Sequence, residues 1–245
     1  MAYDNFGRFY DSLMGNADYE KRADYYAELI KNNGIEGNIL LDLGCGTGTM
    51  SMLMADRGFD VIGTDQSVGM LMEAQRKVME SGKKILLLNQ SMEELDLYGT
   101  IDSCISTLDC INHLEGHQNV KKAFQMVSLF MVSGGVFAFD VNTIYKHHSV
   151  LANNAFVFEN DKVFCTWQNT LNDDDSVDIN LDFFEQEDGV YYRESESFTE
   201  RAYTFDDLTS WLDEAGFTVK AIYKDMTTEP ASEFDERAVF LAVKR

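Results

Sequence analysis

The stretch LLDLGCGTGTM, residues 40–50, decides the fold of this chain. The apolar run from Ile39 to Leu43 is predicted to be a strand, and a turn that contains three glycines follows it. Residues Thr49 to Asp56 then form a helical segment that stops before Gly58. Glycine lets the backbone adopt a positive φ or approach another group closely, because it has no Cβ. A strand, a glycine turn and a helix N-terminus predict a crevice for a small charged ligand at the carboxyl end of a parallel sheet.

A second short strand follows at about the twenty-residue spacing that is typical of nucleotide-binding folds. It reads VIGTDQS, residues 61–67, and ends at Asp65. A carboxylate at this place lies beside the first turn and can accept hydrogen bonds from both hydroxyls of a ribose. The two motifs together predict a ligand that contains adenosine.

The glycine spacing distinguishes between two such ligands. The dinucleotide fingerprint is G-x-G-x-x-G, whereas this chain has G-x-G-x-G with Asp42 on the preceding strand. That carboxylate would repel the phosphates of NAD, but it suits the sulfonium and ammonium groups of S-adenosylmethionine through a direct or water-bridged contact. A carboxylate that only stabilises the turn is the alternative. The chain resembles the class I S-adenosylmethionine-dependent methyltransferases, whose first motif, D-x-G-x-G-x-G, is matched here by Asp42, Gly44, Gly46 and Gly48.

Composition favours one enzyme domain inside the cell. A chain of 245 residues with 45% hydrophobic content can bury a large core. No apolar run approaches eighteen residues and no signal-peptide pattern is visible, so we expect no membrane span and a cytoplasmic location. The four cysteines form no C-x-x-C pair and no Cys/His ligand spacing. We therefore expect buried free thiols at Cys45 and Cys104, with no bound metal.

The net charge of −22 bears on possible partners. Nucleic-acid binding needs Lys and Arg to neutralise phosphates, and no stripe of basic residues occurs in the chain. A nucleic-acid partner is therefore disfavoured, although the fold could still assemble a local basic patch. We expect a small-molecule substrate and a monomer or homodimer.

Strands and helices alternate along most of the chain. Strands are predicted at residues 39–43, 61–65, 85–88, 103–107, 136–141, 217–224 and 238–244. Residues 85–88 are apolar throughout, which predicts a strand covered on both faces. Ser67 and Thr204 are predicted helix N-caps. The last two strands follow each other directly, which predicts an antiparallel hairpin at the end of the sheet.

Between Thr143 and Tyr203 the pattern changes to an alternation of period two, with turn signals at 172–175 and 187–189. This predicts an inserted antiparallel β-meander. Three parts follow: an N-terminal helical lid (1–36), a Rossmann-like cofactor-binding domain (37–142 and 204–245) and the insertion (143–203). The insertion either walls the substrate pocket or serves only dimerisation and stability.

Further segments sharpen the resemblance: YDSLM and DYE near the N-terminus, TLDCINHL, SGGVFAFDVNT and the final ERAVFLAVKR. They are similar to a bacterial group of small-molecule methyltransferases with an inserted sheet, whose relatives include glycine N-methyltransferase and sugar-amine N-methyltransferases. The resemblance implies an α/β fold with a Rossmann-like seven-stranded sheet, an inserted antiparallel meander and an N-terminal helical lid. Arg22 is a departure, because the group commonly has an aromatic residue there.

The resemblance also implies the cofactor site. Its residues would be Tyr10, Tyr19, Asp42, Gly44, Gly46, Asp65, Gln66, Met70, Gln90, Ser91, Met92 and Thr107. Met70 and Met92 could instead be plain core residues. His113, Tyr10 and Asp109 are the catalytic candidates, since His113 follows the fourth strand and titrates near neutral pH.

Three functions remain open from the sequence. The favoured one is methyl transfer to a small amine, with a hydroxyl acceptor possible in its place. The second is methyl transfer to a macromolecule such as tRNA or protein, and the third is a non-catalytic cofactor-binding module. The acidic chain favours a protonated amine, because opposite charges attract.

Overall fold

The strand, glycine turn and helix around residue 44 are present in a computed structural model, which describes residues 18–34, 36–160 and 163–245. Helix α1 (Tyr19–Asn33) leads into β1 (Ile39–Leu43), and the turn opens into α2 (Thr49–Asp56). The sequence-based prediction for this segment is confirmed at both ends of the strand and of α2.

Within the described residues, one sheet has seven strands. Besides β1, these are β2 (Asp60–Asp65), β3 (Leu86–Asn89), β4 (Ile101–Ser106), β5 (Met131–Asn142), β10 (Phe217–Lys224) and β11 (Arg237–Lys244). Their spatial order is β10-β11-β5-β4-β1-β2-β3. Strands β3, β2, β1, β4 and β5 run parallel, whereas β11 is antiparallel to both β5 and β10. The predicted final hairpin is thus confirmed.

The inserted meander is a separate sheet of four antiparallel strands in the described part of the chain. Its strands are β6 (Ala155–Glu159), β7 (Val163–Leu171), β8 (Ser176–Glu187) and β9 (Val190–Arg201). Val177, Ile179 and Phe183 of β8 are buried on one face of this sheet. They form a cluster with Met70, which lies in the helix that follows β2. The insertion therefore packs directly against the region that follows β2.

Three more helices of at least ten residues in the described part of the chain cover the larger sheet. They are α3 (Val68–Ser81), α4 (His117–Phe130) and α5 (Phe205–Glu214). Ser67 Oγ accepts a hydrogen bond from Met70 N at 3.2 Å, and Thr204 Oγ1 accepts one from Asp207 N at 3.0 Å, which confirms both predicted N-caps. None of the described helices combines the length and the apolar character that a membrane crossing needs.

Helix α1 belongs to the core of the domain. Ala23, Tyr26 and Ile30 are buried in the cluster that also contains residues of β1 and α2. Arg22, which is 6% exposed, binds both carboxylate oxygens of Asp225 at 3.0 Å. Arg22 thus anchors α1 to the turn that follows β10. Of the predicted lid (1–36), residues 1–17, including Tyr10, lie outside the described residues, and residues 19–33 form α1.

One prediction about the sheet was wrong. Residues 85–88 were expected to form a strand covered on both faces, but Leu86 of β3 is 49% exposed. Within the described residues β3 pairs with β2 alone and forms the edge of the sheet, where a strand has one neighbour fewer to shield its side chains. An apolar run indicates a strand, but it does not encode how fully each face is covered.

Candidate active site

A cavity, partly open to solvent, lies at the carboxyl ends of β1, β2 and β4. This is the edge at which open α/β sheets bind ligands. The turn after β1, the segments after β2 and β3, and the loop at 107–114 line it, together with Met70 of α3 and Tyr19 of α1. The motifs separated in sequence therefore meet at one place.

The glycines of the turn have two different roles. Gly44, Gly46 and Gly48 all have positive φ, at 76°, 52° and 74°, a region that favours glycine. A Cβ on Gly44 would lie 2.8 Å from Met92 Cε and 2.9 Å from Cys110 Sγ, so Gly44 is required by packing. A Cβ on Gly46 would meet no atom of the described residues within 4 Å, although Gly46 lines the cavity. Gly46 therefore keeps space open for a ligand.

Asp65 is held in a fixed orientation at the cavity wall. Its two carboxylate oxygens accept hydrogen bonds from Gly46 N and Ser67 N, each at 2.8 Å. Burial raises the pKa of Asp65, and these two backbone bonds oppose the rise. Each oxygen keeps a further lone pair for a ligand hydroxyl, because a carboxylate oxygen can accept more than one bond.

Asp42 lies behind the turn and does not line the cavity. It is 1% exposed and accepts a hydrogen bond from Ser51 Oγ of α2 at 2.5 Å. Burial raises the pKa of Asp42 to about 6; the bond from Ser51 opposes the rise and nearby Asp65 adds to it. Two kinds of ligand contact were predicted for Asp42, a direct one and a water-bridged one. This geometry does not provide the direct contact. The carboxylate ties β1 to α2 instead.

The loop after β4 has a strained backbone, which is stabilised by a carboxylate that is remote in the sequence. Leu108 and Asp109 have φ of 61° and 58°, which is uncommon for residues other than glycine. Their backbone N–H groups donate to Asp140 of β5 at 2.9 and 2.8 Å, and Tyr26 Oη donates to it at 2.9 Å. Burial would raise the pKa of Asp140, but the neighbouring Arg237 and Arg22 outweigh it and lower the pKa.

His113 lines the cavity and faces two carboxylates. Its Nε2 lies 3.7 Å from Asp109 Oδ2 and 3.9 Å from Glu200 Oε1. Burial lowers the pKa of His113, but Asp109 and Glu200 outweigh it, so that the pKa is raised above its ordinary value. Asp109 itself does not line the cavity and is ion-paired with Arg237. Burial would raise the pKa of Asp109, but Arg237 and His113 hold it well below its usual range.

Comparison with known proteins identifies the family. A family model described as "Methyltransferase domain" matches residues 40–135. A protein of Geobacillus sp. (strain WCH70), named "Putative methyltransferase", is 33% identical over 247 residues, covering 100% of each chain. The crystal structure of a S-adenosylmethionine-dependent methyltransferase from Clostridium acetobutylicum ATCC 824 is 32% identical, with a TM-score of 0.88 over 99% of this chain and 98% of that chain. The chain belongs to the S-adenosylmethionine-dependent methyltransferases.

A more distant structure shares the whole fold of this methyltransferase. The sugar N-methyltransferase KedS8 from Streptoalloteichus sp. ATCC 53650 is 18% identical, with a TM-score of 0.81 over 100% of this chain and 93% of that chain. At this identity the likeness concerns the fold.

The methyltransferase uses S-adenosylmethionine, and the cavity fits it. Gly46 leaves space that a Cβ would fill, and Asp65 presents fixed oxygens that suit paired hydroxyls. The cavity also contains Cys45, a buried thiol beside Asp42. Burial, with Asp42 adding to it, raises the pKa of this thiol well above its usual range, so it stays neutral beside the cofactor.

His113 and its two neighbouring carboxylates are close enough together to hold a metal ion. Ligand atoms of Asp109, His113 and Glu200 lie within 4.8 Å of one another. Arg237 is already bonded to Asp109 and would be displaced or repelled by a divalent cation. The charges therefore suit a proton on His113 better than a metal ion.

Most predicted site residues line the cavity of the methyltransferase. They are Tyr19, Gly44, Gly46, Asp65, Gln66, Met70, Gln90, Ser91, Met92, Thr107 and His113. Asp42 and Asp109 do not line it, and Tyr10 lies outside the described residues. The prediction missed Cys45, Thr47, Thr49, Met50, Ser67, Glu93, Leu108, Cys110 and Leu114. The residues next to the glycine turn and to Asp65 could have been predicted, because they are neighbours of those motifs in the sequence. Leu108, Cys110 and Leu114 line the cavity because their loop turns left-handed.

Proposed function

We propose that this methyltransferase transfers the methyl group to the nitrogen of a small amine, with His113 as the general base. The observation that carries the proposal is the position of His113 on the cavity wall, with Asp109 and Glu200 behind its Nε2. A base on the cavity wall, oriented by a further group, is the arrangement that general-base catalysis needs.

The cofactor-binding roles belong to the same proposal. Asp65 binds the ribose hydroxyls, and Gly44 and Gly46 run beside the methionine moiety. Gln66 and Met70 cover one face of the adenine, while the backbone near Ser91 meets its edge. The remaining residues of the proposed cofactor site are Tyr10, Tyr19, Gln90, Met92 and Thr107, with Asp42 acting through the turn. The domain boundaries at residues 36, 142 and 203 are likewise proposed.

The chemistry needs one proton transfer. Bound S-adenosylmethionine supplies a methyl group activated by positive sulfur. His113 removes the proton from the acceptor ammonium, and the freed nitrogen lone pair forms the new N–C bond while the C–S electron pair returns to sulfur. Asp109 stabilises the imidazolium that results, because it is ionised and adjacent. Arg237 keeps Asp109 in place.

Two observations support a small acceptor. The net charge of −22 opposes binding to a nucleic-acid backbone. The site is a concave cavity lined by both apolar and polar side chains, the kind of surface that binds small molecules. KedS8, a sugar N-methyltransferase, is an example of a chain with this fold that methylates nitrogen on a small molecule.

The test is a methyl-transfer screen over amines, sugars and amino acids, with the formation of S-adenosylhomocysteine as readout. His113→Gln should lower turnover on the best amine by about 10²–10⁴-fold while the dissociation constant of S-adenosylhomocysteine stays within about twofold. His117→Gln is the matched control, because His117 is an exposed histidine that does not line the cavity. A best acceptor without nitrogen at the methylated position, or a fully active His113→Gln, would contradict the proposal.

In wild type, the rate should rise with pH as His113 loses its proton. The raised pKa of His113 places this rise above the ordinary histidine value of about 6.5. A rate independent of pH between 6 and 9 would remove the general-base role.

A further inference from the structure

Strand β9 of the inserted sheet brings two side chains to His113. Phe198 and Glu200 are two residues apart and so lie on the same face of the strand. The ring of Phe198 lies 5.1 Å from the imidazole of His113, and Glu200 Oε1 lies 3.9 Å from its Nε2. The insertion therefore touches the active site through a ring and a carboxylate.

The carboxylate of Glu200 is fixed by the Rossmann-like domain. It is 3% exposed, and its Oε2 accepts a hydrogen bond from Asn142 Nδ2 at 2.9 Å. Asn142 is in turn held by Asn112, whose side chain bonds its backbone N–H at 2.9 Å and its C=O at 3.0 Å. Asn112 also donates to the carbonyl of Arg201 at 2.8 Å, so it links the loop, β5 and β9. Glu200 consequently has little freedom to move away from His113.

Two histidines face this carboxylate. Among the described Lys, Arg and His side chains, those with a nitrogen within 4.0 Å of a Glu200 oxygen are His113 and His147. His147 is fully buried, and its Nε2, which lies 3.7 Å from Glu200 Oε2, has no hydrogen-bond partner among the described residues. The charge of Glu200 is thus neither screened by water nor cancelled by an arginine or lysine in contact, and it acts strongly at short range.

We propose that Glu200 is a positioning residue of the active site, through which the inserted sheet fixes the His113 imidazole and its proton beside the cofactor. With Asp109 and Glu200 both facing Nε2, the neutral imidazole keeps its proton on Nε2, and Nδ1 becomes the nitrogen that accepts a proton. Phe198 covers the ring and keeps water away. The inference rests on the proposed function in one respect, that His113 is the base.

Other charged groups also act on His113. Asp109 comes from the loop after β4, and Asp65 from the end of β2. Arg237 of β11 is bonded to Asp109 and Asp140, and Lys146, after β5, donates to Asn142 Oδ1 at 2.9 Å. None of these groups belongs to the inserted sheet. Glu200 is therefore the charge by which the inserted sheet influences the base.

The experiment is Glu200→Gln, which keeps an oxygen for Asn142 and removes the charge. The pKa of His113, followed by NMR of ring-labelled histidine, should fall by about one unit, because an opposite charge within a few ångströms shifts a pKa by about 1–3 units. The rising limb of the rate against pH should move to lower pH by the same amount. The dissociation constant of S-adenosylhomocysteine should change by less than about twofold. The signal of His113 is assigned by its loss in His113→Gln.

The matched control is Glu196→Gln. Glu196 lies on the same face of β9 and loses the same charge, and at about 3.3 Å per residue it is about 13 Å along the strand from Glu200. It should leave the pKa of His113 unchanged. If Glu200→Gln also leaves it unchanged, the inference is overturned, because a merely structural residue would give that result.

Failure of the inference and failure of the proposed function give different results. If the pKa of His113 falls in Glu200→Gln while the rate profile stays in place, Glu200 acts on His113 as inferred and His113 is not the base. If Glu200→Gln does not fold, Glu200→Asp withdraws the carboxylate by one methylene and should give a smaller fall in the same direction. No fall in that variant would overturn the inference.

Discussion

Two loops that line the same cavity contain residues in the left-handed backbone conformation. What stabilises that conformation differs between the two loops. The turn after β1 uses Gly44, Gly46 and Gly48, which adopt positive φ without steric cost. The loop after β4 uses Leu108 and Asp109, which do not favour that conformation. Asp140, Arg22 and Arg237 hold the second loop from elsewhere in the chain. The cofactor side of the cavity is thus built locally, whereas the side that carries His113 depends on long-range contacts.

Removing the anchor of the second loop should have the largest effect. In Asp140→Asn, one oxygen is replaced by an amide nitrogen, so one of the two N–H groups of Leu108 and Asp109, which donate to different oxygens, loses its acceptor. Arg22 and Arg237 also lose a buried charged partner. The free energy of unfolding should fall by about 3–5 kcal/mol, because breaking a buried ion pair leaves an uncompensated charge. Urea unfolding measures the loss.

Two further variants separate the loop from general stability. Asp225→Asn also removes a partner of Arg22, but Asp225 does not touch the loop, so methyl transfer should persist. Asp140→Asn should lower methyl-transfer activity less in a Leu108→Gly background than in wild type. The reason is that glycine adopts φ near 61° without strain, so the loop then depends less on Asp140. Absence of any such rescue would show that Asp140 does not act by holding the loop.

Behind the glycine turn, Asp42 should make stability depend on pH. Its pKa is raised from 3.8 to about 6 in the folded protein, so folding favours the protonated form. This contribution is present below about pH 4 and is lost as the pH rises through about 6, at a total cost of at most about 3 kcal/mol. Asp42→Asn, which cannot ionise, should gain stability over wild type by that amount between pH 4 and pH 8. A stability difference that stays constant over this range, measured by urea unfolding, would contradict the assignment.

The two glycines should fail differently when each is replaced by alanine. Gly44→Ala forces a Cβ against Met92 and Cys110 and should lower the free energy of unfolding by about 1–3 kcal/mol. Gly46→Ala should cost only about 1 kcal/mol in backbone strain, since its Cβ meets no atom of the described residues. Its effect should instead be on binding, with about a tenfold rise in the dissociation constant of S-adenosylhomocysteine. Titration calorimetry with S-adenosylhomocysteine measures the dissociation constants of both variants. Equal values would contradict the different roles given to the two glycines.

The last expected change concerns Asp65 on the cofactor side. Asp65→Ala should weaken cofactor binding at least about tenfold, because hydrogen bonds to a charged group contribute about 1.5–3 kcal/mol each. The fold should persist, since Gly46 N and Ser67 N lie at the cavity wall, where water can replace the carboxylate. Unchanged affinity in this variant would rule out the ribose contact.

The contrast between the two loops also explains which predictions succeed. The strand–turn–helix at 39–56, the helix that Ser67 caps and the final hairpin are confirmed, because periodicity, glycine and capping residues act within a few positions of one another. The edge position of β3 was missed, because pairing order is not written in the strand itself. For the same reason, nothing in TLDCINHL signals that Leu108 and Asp109 turn left-handed.

By itself, the sequence determined the sheet, its insertion, the cofactor and the turn that receives it. These follow from local patterns and from a motif whose residues are neighbours in the chain. Only the tertiary structure decided which residues surround His113. Glu200 reaches it from β9, while Arg237 of β11 and Asp140 of β5 hold the loop that leads to it. Their charges are strong there because burial removes the water that would screen them. Such an arrangement depends on distances between remote segments, which no local pattern encodes.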